Sequence, residues 1–155
     1  MARIYTAQFN EVAVTAQQDL FALLAAAEKP ITIHEIFLTQ RTEVGDAMEE
    51  GLLVVIKQGA TVAGSGGTAP TPIPRDVDDA AAGTTARVND TTIANTGTIV
   101  TSHAFVWNVR VPLQILFTPE LRPYAKGQRR IVVGLATTPA DSITMSGTIT
   151  WSEGG

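Results

Sequence analysis

Phe105-Val106-Trp107-Asn108-Val109-Arg110-Val111-Pro112-Leu113-Gln114-Ile115-Leu116-Phe117 carries an apolar side chain at every odd position. The even positions are a mostly polar or neutral set. A period of two sustained this long marks β-strand with one face buried, because successive side chains of a strand point to opposite sides. Helical spacing would scatter the same residues around the axis. Pro112 sits at outward parity, where its missing N–H must face away from a ladder partner or fall at a bend. The spacing therefore predicts strands over about 104–111 and 113–118, with a corner at Val111–Pro112.

The same periodicity runs outward along the chain. Ile143, Met145, Gly147, Ile149 and Trp151 alternate with Thr144, Ser146, Thr148, Thr150 and Ser152, a half-buried strand with a solvated Thr-rich face. Gly147 within it marks a bulge or a close backbone contact. Ile131, Val133 and Leu135 give another strand over 130–136. Leu52 to Ile56 is apolar on both faces, as a central strand should be. Ile31 to Leu38 is a strand whose phase slips between Ile33 and Ile36, which a bulge near His34-Glu35 would absorb. Asp19 to Ala27 fits a helix capped by Asp19 as well as a strand, and its strand neighbours tip the balance toward strand. Residues 3–9 and 12–14 alternate around an interruption at Asn10-Glu11. Residues 1–10 are expected to be a first strand or an extended N-terminal arm.

About eight strands without βα alternation or a repeat predict an all-β, antiparallel β-sandwich over 1–155 as one domain. A jelly roll is the leading form, and an Ig-like sandwich, usually shorter, is the rival. Residues 59–98 differ in composition, with Gly64-Ser65-Gly66-Gly67, then Pro70, Pro72 and Pro74, and Thr throughout. Loops this long are uncommon in compact domains and usually serve binding or stay mobile. Alternate prolines favour extended polyproline geometry, so a stiff, exposed excursion is expected. Ala86–Val88 is its only strand-like fragment, and Val77–Ala82 could make one helical turn.

Composition narrows the function. Charged residues make up 17% of the chain, below the usual value of about 25%, which fits either a partner-covered surface or solvation by Thr, Ser, Asn and Gln. A net charge of −4 with no Lys/Arg cluster beyond Arg129-Arg130 argues against nucleic acid. No cysteine is present, so disulfides, thiol nucleophiles and Cys-ligated metals are excluded. No signal peptide is expected at Met1-Ala2-Arg3-Ile4-Tyr5, and the apolar run Leu20–Ala27 is far below a membrane span, so no membrane partner is expected. His34 and His103 would need carboxylates to complete a metal shell. Glu43, Asp46, Glu49 and Glu50 match no standard Ca²⁺ loop, and Asp76, Asp78 and Asp79 lack the glycine position and closing Glu of one. Gly64-Ser65-Gly66-Gly67 lacks the Lys-Ser/Thr of a phosphate loop, and no G-x-S-x-G occurs. No catalytic, metal or cofactor site is assigned. Trp107 and Trp151, at inward parity, read as core anchors rather than sugar-stacking platforms.

The runs Ala16-Gln17-Gln18-Asp19-Leu20-Phe21, Val44-Gly45-Asp46-Ala47 with Glu49-Glu50, Gly64 to Pro72, and Pro139 to Thr148 resemble small structural proteins encoded by tailed bacteriophages. The resemblance covers nearly the whole chain, and its motifs are structural rather than chemical. It implies a virion component made in the host cytoplasm, a decoration (cement) protein on the capsid exterior. It also implies a homotrimer seated on the major capsid protein. Two contact regions are expected. One is the arm with Arg3, Tyr5 and Phe9, which could add a strand to a neighbour's sheet. The other is the excursion tip with Pro72, Ile73, Pro74 and Arg75. The alternatives are a fibre module that binds a receptor or glycan, and a small cupin-type enzyme.

Overall fold

A computed structural model describes residues 2–45 and 49–154. Two antiparallel sheets share one apolar core as a β-sandwich. The first sheet contains β1 (Arg3–Val14), β3 (Ile31–Gln40), β5 (Ile73–Pro74), β8 (Leu113–Leu116), β9 (Tyr124–Ala125) and β11 (Ile143–Glu153). Its order is β5-β1-β11-β3-β8, with β9 beside β8 along β3. The second sheet contains β2 (Gln18–Leu24), β4 (Gly51–Ala60), β6 (Thr85–Asp90), β7 (Gly97–Asn108) and β10 (Arg130–Leu135), in the order β6-β2-β10-β4-β7. From β1 to β4 the chain changes sheet at every step. It changes again between β7 and β8, at the corner expected before Pro112.

Alternation explains which faces meet. In β11 every odd residue from Ile143 to Glu153 is buried and every even one is half-exposed. Trp107 and Trp151 are both buried in the shared core. Gly147 is bare because a Cβ there would lie 2.8 Å from the Phe9 ring and 2.9 Å from Leu38. The slip in β3 is a bulge. Ile33 pairs with Trp151 and Glu35 with Thr150, so His34 is the extra residue, and Ile36 and Leu38 return to the core face of Ile31 and Ile33. The interruption at Asn10-Glu11 is a second bulge, with Phe9 opposite Gly147 and Val12 opposite Met145. Glu11 takes a left-handed φ of 51° there, and its N–H donates to Ser146 Oγ at 2.9 Å. Of Asp19–Ala27, the part up to Leu24 resolves as strand and 25–27 leads into a turn. Leu20 to Leu23 are buried on both faces, which is why no periodicity separated strand from helix.

Three expectations are revised, while the choice at residues 1–10 falls to the strand, because β1 runs between β5 and β11 inside the first sheet. The strand expected at 104–111 starts earlier, at Gly97, and ends at Asn108, leaving Val111 exposed in the corner. Val77–Ala82 forms no helical turn; a single tight turn closes by Asp79 N–H donating to the Asp76 carbonyl at 2.9 Å. The 59–98 excursion does not project as a stiff spur. It returns to pair with β1 through Ile73–Pro74 and with β2 through β6, adding an outer strand to each sheet. Pro74 fits β5 because an edge strand leaves its other side unpaired.

Candidate interaction surface

The two sides of the sandwich are finished differently. On the β5/β6 side the excursion is tied down by three buried carboxylates. Glu153, at the end of β11, accepts the N–H groups of Thr84 at 2.7 Å and Gly83 at 3.1 Å, with Lys29 Nζ 3.8 Å away. Burial pushes its carboxyl up, but the Thr84 and Gly83 hydrogen bonds and Lys29 outweigh that and hold it below its ordinary value. Asp90 accepts a two-pronged bond from Arg87, at 2.9 and 2.7 Å, and the Gly67 N–H at 3.1 Å. Asp19, its cross-strand partner, accepts Lys57 Nζ at 3.1 Å and the Ala94 N–H at 2.7 Å. Each charge has a cation and each captured N–H belongs to the excursion, so the burial is compensated. Tyr5 joins in, its hydroxyl donating to the Ala80 carbonyl at 2.9 Å. Ala94 also packs with Ala22, Ala60 and Val132 over the outer face of the second sheet. This side is closed.

Among the described residues, the β7/β8 side has no such cover. β7 is the last strand of its sheet, and Gly97–Asn108 contains no charged residue and no proline. Sheet edges are usually blunted by lysines, prolines or shortness. This strand is 12 residues long, and its protection is limited to register shifts, one of them at Ser102, between Ile56/His103 and Lys57/Thr101. Across the corner lies β8, the edge of the other sheet. Between the two edges the core reaches the surface. His103 stacks on Phe105 at 6.1 Å and meets the edge of Phe117 at 5.5 Å, and Phe105, Leu113 and Ile115 are only partly covered. Val106 and Leu116, at outward parity on the same two edge strands, are 75% and 66% exposed. An uncharged edge beside half-covered aromatics is the composition of a contact surface.

The residues singled out beforehand fall elsewhere. Tyr5 and Phe9 are buried core side chains, Tyr5 stacked on Trp151 and Phe9 tilted against Phe21. Arg3 is exposed and pairs with Asp79 at 3.2 Å. Pro72, Ile73, Pro74 and Arg75 lie against β1, with the Arg75 N–H donating to the Ile4 carbonyl at 2.8 Å and Ile73 half-exposed. The structure thus brings the two expected contact regions together, on one edge. Sequence reasoning passed over the seam itself, although the signal was printed in 97–108 as a long strand free of charge.

His34 and His103 sit in different sheets. His34 Nε2 meets Ser152 Oγ at 2.9 Å, and burial first, then the Arg122 charge, lowers its pKa. His103 Nδ1 meets Ser102 Oγ at 2.9 Å. Glu50 accepts the Ala140 N–H at 2.6 Å, while Asp46 lies outside the described residues. No three His, Cys, Asp or Glu gather for a metal ion among the described residues. The Gly64–Gly67 run lies along β6, where Ser65 bridges Thr92 and a Cβ on Gly67 would strike the Val88 carbonyl at 2.1 Å. The glycines there serve close backbone approach. Compared with protein-family models, with curated proteins and with solved structures, the chain finds no match.

Proposed function

We propose that the chain is a non-enzymatic structural protein of a tailed-bacteriophage virion, a decoration protein that stabilises the assembled head from outside. The observation that carries this reading is the open β7/β8 seam, an uncharged edge left bare in a molecule whose opposite side is closed by its own excursion. The resemblance of the 16–21, 44–50, 64–72 and 139–148 runs to phage structural proteins supports the setting. The strand orders β1-β11-β3-β8 and β2-β10-β4-β7 support a jelly roll, the sandwich form common in capsid and lectin domains. Such a protein works by mass action. Binding the assembled shell and not its free subunits stabilises assembly, and repetition over a symmetric surface multiplies modest contacts.

The test is co-sedimentation with assembled shells. Val106→Lys with Leu116→Lys places on each exposed edge the residue that blunts edges, at positions where substitution costs the fold within about 0.5 kcal/mol. Shell binding should fall about tenfold or more while the unfolding midpoint holds, since a lysine at a desolvated contact is strongly disfavoured. Binding of the double variant equal to that of the wild type would remove the seam from the proposal. Wild type that never sediments with shells would remove the function.

A further inference from the structure

A second feature couples two surfaces at opposite edges of the first sheet. At one edge, the excursion turns at Asp76-Val77-Asp78-Asp79. Val77 is the most exposed large apolar side chain among the described residues, at 83%. Asp79 is taken by Arg3, but neither Asp76 nor Asp78 has a cation partner among the described residues. The turn is therefore a projecting valine flanked by two carboxylates outside any ion pair, with Arg3 and Arg75 lining the depression on the β1 side of Asp76.

At the other edge, β9 and the start of β10 form an open cleft of 420 Å³ with the ends of β4 and β7. Its charged lining is Lys126, Arg129 and Arg130, with no acidic residue, and its apolar lining is Val100 and Tyr124, both about half exposed. None of the three cations has an ion-pair partner among the described residues. Arg130 donates to the Thr61 carbonyl at 2.7 Å, which fixes its guanidinium at the cleft wall. In a chain of net charge −4 with 11 lysines and arginines, three of them meet here unopposed.

The two surfaces complement each other in charge and in shape of composition, an acidic turn with an apolar tip against a basic cleft with an apolar floor. They cannot meet within one molecule. Arg3, Glu153, Ile31 and Ala125 form a single cross-strand row, the turn lying beyond Arg3 and the cleft beside Ala125. With strands about 4.8 Å apart, the turn and the cleft are roughly 19 Å from one another across the sheet. We propose that the 76–78 turn of one copy docks in the Lys126/Arg129/Arg130 cleft of the next, making a head-to-tail contact between copies of this chain. Such a contact joins two different surfaces, and it closes into a ring where the rotation permits. The inference rests on the reading of the chain as a contact protein and adds how its copies meet each other, apart from the seam that meets the shell.

Sedimentation velocity over a concentration series, with circular dichroism to verify the fold, tests it on four proteins. Wild type should associate, and more weakly at high salt. Lys126→Glu with Arg129→Glu should weaken association about tenfold or more, and so should Asp76→Lys with Asp78→Lys, because each sets like charges face to face. The chain carrying all four substitutions should recover association, since both surfaces are inverted together. Mixing the two half-inverted variants should also produce mixed assemblies that neither forms alone. A wild type that stays monomeric, a half-inverted variant that associates like wild type, or a fourfold variant that does not recover would each overturn the proposal. Shell co-sedimentation is read separately, so a monomer that still binds shells rejects the head-to-tail contact and leaves the decoration role standing.

Discussion

Glu153 keeps its charge where only 3% of its side chain meets solvent, because two backbone N–H groups of the excursion point at it. The sign of its pH dependence follows. Its folded pKa lies below the ordinary 4.5, so the unfolded chain binds the proton more readily. Its contribution is therefore fully present above about pH 5 and is lost as pH falls through 4.5 and the lower folded value. Glu153→Gln should cost about 1–3 kcal/mol at pH 7, the value of hydrogen bonds to a charged acceptor. Urea unfolding from pH 7 to pH 3 should show the gap between wild type and variant closing on the acid side, and a gap independent of pH would contradict the account. At this scale the sequence was legible for residues whose role depends on parity, such as Trp107, Trp151 and Gly147. It was silent on Glu153, Asp19 and Asp90, because what stabilises a buried carboxylate is backbone brought from 23 to 75 residues away. Tyr5 and Phe9 were misplaced for a related reason: alternation at a terminus identifies a strand but not whose sheet it joins.

Within β3 the phase slip is enough to locate the bulge, because two apolar pairs of opposite parity can share one face only if a residue is spare. That spare residue makes an unusual prediction about deletion. Removing His34 leaves Ile31, Ile33, Ile36 and Leu38 in strict alternation and preserves every pairing with β11 on both sides of the gap. Its losses are the contact with Ser152 and the bond from the Phe117 N–H to the His34 carbonyl. Removing Phe37 instead turns Leu38, fully buried against the core, to the outer face. The first deletion should cost about 1–3 kcal/mol, by two lost hydrogen bonds, and the second about 2–5 kcal/mol, by one lost leucine in the core. Denaturant midpoints should therefore rank wild type above the His34 deletion and that above the Phe37 deletion. A reversed order of the two deletions would mean that the bulge, with its added twist, is needed for the sheet and not merely tolerated by it.

Across the whole molecule, β4 and β7 are one hairpin whose loop has grown into a cover. Ala60 pairs with Gly97, and just beyond them the Thr61 N–H donates to the Thr96 carbonyl at 2.9 Å, so the neck is already closed without the excursion. Composition alone set 59–98 apart, since its glycines, prolines and threonines cannot supply a core of their own. What composition could not convey is that Glu153 and Asp19 of the body capture its middle and its far end, that Asp90 within it holds Gly67 to β6, and that it masks the outer edges of β1 and β2. Replacing 61–96 by Asn-Gly, a pair suited to a tight hairpin, separates these effects. The remaining strands still bury both tryptophans, so far-ultraviolet circular dichroism should keep its β signature. Ala86 and Val88 leave the core and Val132 loses its cover, a loss of about 3–5 kcal/mol that corresponds to a melting point lower by about 10 °C. More telling is the solution behaviour. β1 and β2 become bare edges on the side that was closed, so light scattering should rise with concentration and with time, as unprotected edges pair between molecules. A shortened chain that stays monodisperse with an unchanged melting point would show that the excursion serves neither edge and that its buried contacts are energetically idle.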